Sequence, residues 1–406
     1  VVAPTSVVGV WAEQAAKFTP GLRVRCVSET ASRRGTTIQE EAEASDIVVT
    51  SYKLARLEAD QWREAALSGV VIDEAQAVKN PRTAIYRALR DMNAPWRLAV
   101  SGTPIENSLG DLWSLLSLTC PGLLPPWDAF TQKVRRPIEG GDPDMLARLT
   151  SYVAPFILRR TKEEVATDLP DKIVDVVRVD LGEEHRRIYD QYLARERARI
   201  LDLLAEPDAN RMSVLASITR LRQLALDPAL VEREEYAHVG SAKVEYVADR
   251  LDEIVPLGHR ALIFSQFTSF LARIRVVLER RGVSVVQLDG STRNREEVVE
   301  RFRSGEAQVF LISLKAGGSG LTLTEADYVY VMDPWWNPAA EEQAIDRAHR
   351  IGQTKKVNVY RLVATDTIEA KVVELQDRKR RLISSVMNGT GTGASLSVAD
   401  LRGLLD

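Results

Sequence analysis

The chain has 406 residues, of which 45% are hydrophobic and 27% are charged. This length is enough for two to three domains with hydrophobic cores, and the composition excludes a disordered tail, a fibrous repeat and a disulfide-stapled mini-protein. The formal net charge of −3 provides no overall attraction to nucleic acid, so any such attraction must come from local clusters.

Short apolar runs, each ended by a polar or small residue and followed by a helix-length stretch, are typical of parallel βαβ units. A first series of such runs predicts strands at Val1–Ala3, Arg23–Val27, Ile47–Thr50, Val70–Ile72 and Leu98–Val100. We therefore expect a first α/β lobe over residues 1–110.

Strand signals fade between residues 111 and 238, where prolines and helical patterns take over. Apolar residues at three- and four-residue spacing predict helices over Arg186–Leu204 and Val214–Leu226. The segment Gly140-Gly141-Asp142-Pro143 predicts an exposed turn. We expect residues 111–238 to form a mainly helical insertion and bridge.

A second series of apolar runs predicts strands at Ala261–Phe264, Val283–Leu288, Val309–Leu314, Tyr328–Met332 and Val357–Val363. These strands predict a second α/β lobe over residues 239–390. The Gly/Thr/Ser-rich stretch that follows predicts a flexible tail with a short helix over residues 391–406. The predicted fold class is α/β, with two lobes of parallel sheet flanked by helices and joined by the helical insertion.

Cysteine content and hydropathy bear on the compartment. The only two cysteines, Cys26 and Cys120, are too few for a disulfide framework or a four-ligand zinc site, which favours a reducing cytosol. Membrane insertion and secretion are not expected, because no run of about 18 apolar residues and no signal-peptide pattern occurs. The chain begins without methionine in an apolar run, and we expect upstream sequence to be missing.

Ligands of open parallel sheets bind beyond the carboxyl ends of the strands. Asp73 and Glu74 directly follow the run Val70–Ile72, where one carboxylate can hold Mg²⁺ through water and the next can orient an attacking water. The alternative is a helix N-cap and its neighbour. Taken alone, the pair favours the alternative.

A second candidate group lies in the helical stretch Ala339–Arg350. Gln343, Arg347 and Arg350 are spaced i, i+4 and i+7 there, which would place them on one helix face. Two guanidiniums on one face can clamp a phosphate and stabilise the charge of a transferred phosphoryl group. Surface pairing of Arg350 with Asp346 is an equally good alternative.

A glycine-rich turn, Lys315–Gly320, follows the predicted strand Val309–Leu314. Its glycines would let backbone N–H groups approach a phosphate, although glycine-rich turns are common. It is not a Walker A loop, and the pattern G-x-x-x-x-G-K-[ST] occurs nowhere in the chain.

Taken together, these segments resemble the Swi/Snf-type ATPases of the second helicase superfamily. In the first half, APTSVVGVW (3–11), TSYKLAR (50–56), VVIDEAQAVKN (70–80) and SGTPIEN (101–107) resemble motifs Ia, Ib, II and III. FILRRTKEEV (156–165) is similar to the segment after the first lobe. In the second half, ALIFSQFTSF (261–270), LDGSTRNREEVVERF (288–302), the stretch 311–338 and QAIDRAHRIGQ (343–353) resemble motif IV, the segment after it, and motifs V and VI.

The resemblance implies two RecA-like lobes that use ATP and Mg²⁺. Asp73 would lie on Mg²⁺-ATP, Glu74 would activate water, and Arg347 and Arg350 would be arginine fingers. The remaining roles are carried over as follows: nucleotide contact for Gln343, Gly318 and Gly320, coupling of nucleotide state to lobe closure for Ser101 and Thr103, and DNA phosphate contact for Thr5, Thr50, Ser51, Ser265 and Lys315.

The resemblance also implies a function: an ATP-dependent translocase on double-stranded DNA, acting as a monomer. The source is expected to be bacterial or archaeal and the location cytoplasmic, at the nucleoid. DEAQ stands where many relatives have a final histidine, and this variant keeps both carboxylates in place. The Walker A loop is absent, so we expect these 406 residues alone not to turn over ATP. The alternatives are a helicase that acts on RNA or with RNA polymerase, and a DNA-binding scaffold without hydrolysis.

Overall fold

A computed structural model describes residues 1–102, 109–160, 162–166, 168–203, 207–314, 321–335, 337–374 and 376–377. These residues divide into two compact units, the first spanning Val1–Leu158 and the second beginning at Arg159. The expected flexible tail and last helix lie outside the described residues.

Among the described residues of the first unit, five strands form one parallel sheet in the order β2-β3-β1-β4-β5. The strands are β1 Val2–Ala3, β2 Val24–Val27, β3 Ile47–Ser51, β4 Val70–Asp73 and β5 Arg97–Val100. The helices are α1 Val8–Phe18, α2 Ala31–Arg34, α3 Ile38–Glu43, α4 Tyr52–Leu57, α5 Ala59–Glu64, α6 Ala84–Asp91, α7 Leu109–Thr119, α8 Trp127–Phe130, α9 Arg136–Glu139 and α10 Pro143–Val153. All five strands predicted for the first lobe are confirmed.

The second unit contains a six-stranded parallel sheet in the order β6-β11-β10-β7-β9-β8. Its strands are β6 Lys172–Val179, β7 Ala261–Ser265, β8 Val285–Leu288, β9 Val309–Ser313, β10 Tyr328–Val331 and β11 Val357–Ala364. Its helices are α11 Lys162–Val165, α12 Glu183–Leu203, α13 Pro207–Leu226, α14 Ala242–Ile254, α15 Thr268–Arg280, α16 Arg295–Arg303 and α17 Pro338–Ile345. The strands predicted for the second lobe, and the two long helices predicted before them, are confirmed.

The central strands of the second sheet are buried on both faces, as expected for a parallel sheet covered by helices. Along β7, Ala261 and Ile263 belong to one apolar core with residues of α14 and α15, whereas Leu262 and Phe264 belong to another with residues of α16 and α17. Because β7 pairs in parallel with both β9 and β10, the carboxyl ends of these three strands lie at one edge of the sheet.

Strand β6 was not predicted, because it lies within the stretch expected to be helical. It is an edge strand that pairs with β11 along its whole length, from Lys172 opposite Val357 to Val179 opposite Ala364. Most of its side chains are exposed, and Asp175 and Arg178 interrupt the apolar pattern. The stretch 111–238 is therefore shared between the two units, since the division falls after Leu158.

Candidate active site

Asp73 is the last residue of β4, and hydrogen bonds hold both of its carboxylate oxygens. The indole Nε1 of Trp11, in α1, donates to Oδ2 at 2.8 Å, and the backbone N–H of Glu74 donates to Oδ1 at 2.9 Å. A carboxylate oxygen has two lone pairs, so each of these oxygens can still accept a water. One carboxylate with free acceptor positions fits the way Mg²⁺ is usually held, through its own waters.

Glu74 has a left-handed backbone, with φ 50° and ψ 52°. A residue with a side chain costs of order 1–3 kcal/mol in such a sparsely populated conformation, which persists only where neighbouring groups fix it. The Tyr52 hydroxyl does so here, donating to the carbonyl oxygens of Asp73 at 2.5 Å and Glu74 at 3.3 Å. Burial, reinforced by the Asp73 and Glu74 carboxylates, raises the pKa of the Tyr52 hydroxyl, which therefore remains a donor.

A hydrogen-bonded chain connects Glu74 to Ser101. The Gln76 amide nitrogen donates to Glu74 Oε2 at 2.6 Å, and its amide oxygen accepts from the Ser101 hydroxyl at 2.8 Å. An amide donates at one end and accepts at the other, so the glutamine of DEAQ can bridge the two groups. The structure thus brings together Asp73, Glu74 and Ser101, whereas Thr103 lies outside the described residues.

The side chains of Thr50 and Ser51 are buried, in contrast to the exposed side chain of Thr5. The Thr50 hydroxyl donates to the Val27 carbonyl at 3.2 Å, and Ser51 caps α4 by accepting from the Leu54 N–H. The Thr50 hydroxyl proton is used within the protein, so phosphate contact through it is not supported. The Ser51 cap uses an acceptor lone pair and leaves its O–H proton, so phosphate contact through Ser51 stays a prediction. Of these three residues, Thr5 has the side chain open to solvent.

Ser265 is also fully buried, at the carboxyl end of β7. Its hydroxyl donates to Asp333 Oδ1 at 2.5 Å, and Arg222 lies 3.8 Å from the other oxygen of that carboxylate. Burial raises the pKa of Asp333, and the nearby Arg222 opposes this rise. Ser265 therefore belongs to a buried polar network, and phosphate contact through its hydroxyl is not supported. Lys315 lies outside the described residues.

A second buried ion pair lies beside this network. Lys243 Nζ donates to Glu369 Oε2 at 2.5 Å and to the carbonyl oxygens of Met332 and Leu362 at 2.7 and 2.9 Å. The side chains of Lys243 and Glu369 are 1% and 0% exposed. The pair joins α14 to the carboxyl ends of β10 and β11, the same edge that carries Ser265.

The prediction that Gln343, Arg347 and Arg350 share one helical face is wrong. Helix α17 ends at Ile345, so Gln343 lies on the helix and the two arginines lie in the turns after it. After Ile345, the N–H groups of Arg347 and Ala348 bond to carbonyls three residues earlier, unlike the four-residue pattern of an α-helix. The Arg347 carbonyl accepts from the Leu323 N–H. Gly318 and Gly320 lie outside the described residues.

The two arginines differ in exposure but point to one neighbouring segment. Arg347 is buried and its Nη1 donates to the Leu321 carbonyl at 3.4 Å, whereas Arg350 is exposed and its Nη1 donates to the Thr322 hydroxyl at 3.4 Å. Asp346, the alternative partner of Arg350, instead lies 2.8 Å from Lys162 Nζ. The structure therefore brings the two guanidiniums to one short segment without a common helix.

Comparison with family models identifies the chain. A model described as the SNF2-related domain matches residues 1–230, more than half of the chain, and one described as the helicase conserved C-terminal domain matches residues 243–352. The chain belongs to the SNF2-related family. Its two parallel sheets flanked by helices are the two RecA-like lobes of this family of superfamily-two helicases.

Several SNF2-related proteins are similar to the chain. A Bacillus subtilis (strain 168) protein, named among the ATP-dependent helicases/translocases, is 33% identical over all of this chain and 45% of its own length. The human SWI/SNF-related matrix-associated actin-dependent regulator of chromatin subfamily A member 1 is 32% identical over 95% of this chain and 38% of its own length. The chain thus spans less than half of these relatives.

Among solved structures, the Sulfolobus solfataricus SWI2/SNF2 ATPase core in complex with dsDNA aligns at 31% identity with a TM-score of 0.45. The alignment covers 99% of this chain and 85% of that one.

Two further properties concern the described residues alone. No helix there is both long and apolar enough to cross a membrane, and no group of three or more His, Cys, Asp or Glu could hold a metal ion.

Sequence reasoning found the carboxylates and the arginines of this SNF2-related chain but not the groups that hold them. Trp11 stands in a segment assigned to DNA contact, and Tyr52 carried no chemical signal of its own. Gln76 was noted only as a departure from the family pattern. Its position two residues after Glu74 was the available signal, because an amide there can reach the carboxylate. Its contact with Ser101, 25 residues away, has no local signal.

Proposed function

We propose that the chain is the motor core of an ATP-dependent translocase or remodeller that moves along double-stranded DNA. The observation that carries the proposal is the turn at Asp73 and Glu74, fixed by Trp11 and Tyr52 and bridged through Gln76 to Ser101. This arrangement fixes two carboxylates, of which one can hold Mg²⁺ through water and the other can orient an attacking water.

Bound Mg²⁺-ATP would supply the transferable phosphoryl group. The residues of the chain would position the attacking water and stabilise the negative charge that develops. The two carboxylate oxygens of Asp73, oriented by Trp11 and by the Glu74 N–H, accept hydrogen bonds from water. Glu74 accepts a hydrogen bond from the attacking water and orients it, and Gln76 fixes the carboxylate that does so. Arg347 and Arg350 donate to developing negative charge, with Gln343 as a further nucleotide contact.

The phosphate cradle is the part of this mechanism that the 406 residues do not contain, since the Walker A pattern is absent from them. We expect the 406-residue chain alone to show no ATP turnover above a Glu74→Gln control. Joined to a segment with such a loop, the same residues should hydrolyse ATP.

Duplex DNA is the proposed partner, contacted through its phosphates. Such contacts carry no base identity and suit sequence-independent tracking. A single chain is the proposed working unit, acting in the nucleoid of a bacterial or archaeal cytoplasm. We propose that the motor displaces a DNA-bound protein or RNA polymerase.

The test is phosphate release from ATP by the complete protein, with and without duplex DNA, at a fixed salt concentration because phosphate contacts are salt-sensitive. Strong stimulation by duplex DNA, lost in Glu74→Gln, is the expected result. ATP binding without stimulation by DNA would overturn the DNA motor in favour of an RNA-directed or polymerase-associated helicase. Failure to bind ATP would favour a scaffold.

A further inference from the structure

Lys162 lies at the start of the second unit, as its fourth residue, and contacts the turn that carries the two arginines. Its Nζ lies 2.8 Å from Asp346 Oδ1 and donates to the His349 carbonyl oxygen at 2.8 Å. Asp346 precedes Arg347, and His349 precedes Arg350. A single ammonium group therefore holds one residue adjacent to each arginine.

Two further contacts join the same parts of the chain. The buried His349 ring donates from Nε2 to the Pro170 carbonyl oxygen at 2.8 Å, and Lys172 Nζ lies 3.2 Å from Glu342 and 3.9 Å from Asp346. The turn at residues 346–350 is thus attached to residues 162–172 from both ends.

These attachments matter because the turn is not helical. In a helix, the backbone ladder would set the direction of Arg347 and Arg350, but α17 ends at Ile345. Their placement must then come from contacts of the turn with its surroundings. A misplacement of about 1 Å at a reacting group can cost about 100-fold in rate.

The Lys162–Asp346 ion pair adds little to overall stability. Both side chains are 34% exposed, so solvent screens the attraction between the two charges. A contact that adds little stability but holds the turn at residues 346–350 affects the placement of the two arginines more than it affects folding. Its removal should therefore change turnover without unfolding the unit.

We propose that Lys162 is a positioning residue for Arg347 and Arg350. The segment through which the chain enters the second unit would then set the placement of both guanidiniums. This inference rests on the proposed function, in which the two arginines stabilise charge on the transferred phosphoryl group.

The test compares variants of the complete protein in DNA-stimulated ATP hydrolysis. Lys162→Met keeps the aliphatic stem and removes the charge, and we expect kcat to fall about 10- to 100-fold with KM for ATP unchanged. Lys162→Arg should restore most of the activity. Lys356→Met is the matched control, because it removes an exposed ion pair. The side chains of Lys356 and Asp171 in that pair are 66% and 77% exposed.

A double-mutant cycle separates this contact from a general loss of charge. If the ion pair acts as one unit, Asp346→Asn should lower kcat, and adding it to Lys162→Met should lower kcat little further. Additive losses, or an unchanged kcat in Lys162→Met, would overturn the proposal. A kcat loss that Lys162→Arg does not restore would also overturn it.

Hydrogen exchange of the backbone amides at residues 346–353 distinguishes this proposal from the proposed function. Lys162→Met should speed exchange there and leave β7 and β10 unchanged, whereas Lys356→Met should change neither. An inactive wild-type protein would overturn the proposed function, and exchange would still decide whether Lys162 holds the turn. Unchanged exchange in Lys162→Met would overturn the inference even in an active protein.

Discussion

Replacing Lys243 with methionine removes one partner of the buried Lys243–Glu369 ion pair of the second unit. The wild-type ammonium group is buried and has three acceptors. Its loss leaves the Glu369 carboxylate with the Ala364 N–H as its donor. Removing one partner of a buried ion pair costs about 3–5 kcal/mol, since the other charge stays buried. We expect a loss of this size in the free energy of unfolding of the second unit.

The cost should depend on pH in a defined direction. Burial raises the pKa of Glu369, and Lys243 opposes this rise in the wild type. Without Lys243, the pKa in the folded state should lie further above that of the unfolded chain. The folded variant then binds a proton more readily than the unfolded one, so its stability should increase as the pH falls from 7 toward the unfolded pKa.

Native-state hydrogen exchange of core amides in β7 and β10 measures this loss, because such amides exchange only on unfolding of the unit. A loss of 3–5 kcal/mol corresponds to exchange about 10²- to 10⁴-fold faster. Lys243→Met with Glu369→Gln should recover much of the stability, because neither position of this pair then carries a buried charge. A cost below about 1 kcal/mol, or one that does not shrink at lower pH, would refute the reasoning.

Three further predictions concern hydrolysis by the complete protein. Gln76→Ala breaks the bridge from Glu74, and DNA-stimulated kcat should fall about tenfold, as expected for loss of a charge-assisted hydrogen bond; an unchanged kcat would remove Gln76 from the mechanism. Trp11→Phe keeps an aromatic side chain but loses the indole N–H that donates to Asp73, so half-maximal activity should require more Mg²⁺. An unchanged Mg²⁺ titration would contradict this. Arg350→Ala should abolish DNA-stimulated hydrolysis while fluorescent ATP analogues still bind, and unaltered turnover would exclude Arg350 as a finger.

The strands could be predicted from the sequence because a parallel sheet covered on both sides requires continuous apolar runs. Strand β6 escaped this criterion, since most of its side chains are exposed. Its exposed positions carry Asp175 and Arg178, which lower the apolar signal. The pairing partner that makes it a strand, β11, lies at the far end of the unit.

The candidate site was predictable in composition but not in contacts. Thr50 and Ser265 lie at the carboxyl ends of strands, where phosphate ligands would lie, but sequence does not reveal that their side chains are buried. The spacing of Arg347 and Arg350 is helical, yet the backbone turns where the Arg347 carbonyl finds a partner at Leu323. Such contacts between distant parts of the chain are invisible to local patterns.

The pairing of β6 with β11 also bears on how the protein is made. β6 is the first strand of its sheet to leave the ribosome, and β11 is the last. Until β11 is synthesised, Ile173, Val174 and Val176 belong to a strand with no neighbour, and unpaired β-branched segments are prone to aggregation. We therefore expect β6 to join the second sheet only after nearly the whole unit has been translated. During that interval, chaperones should bind the nascent β6.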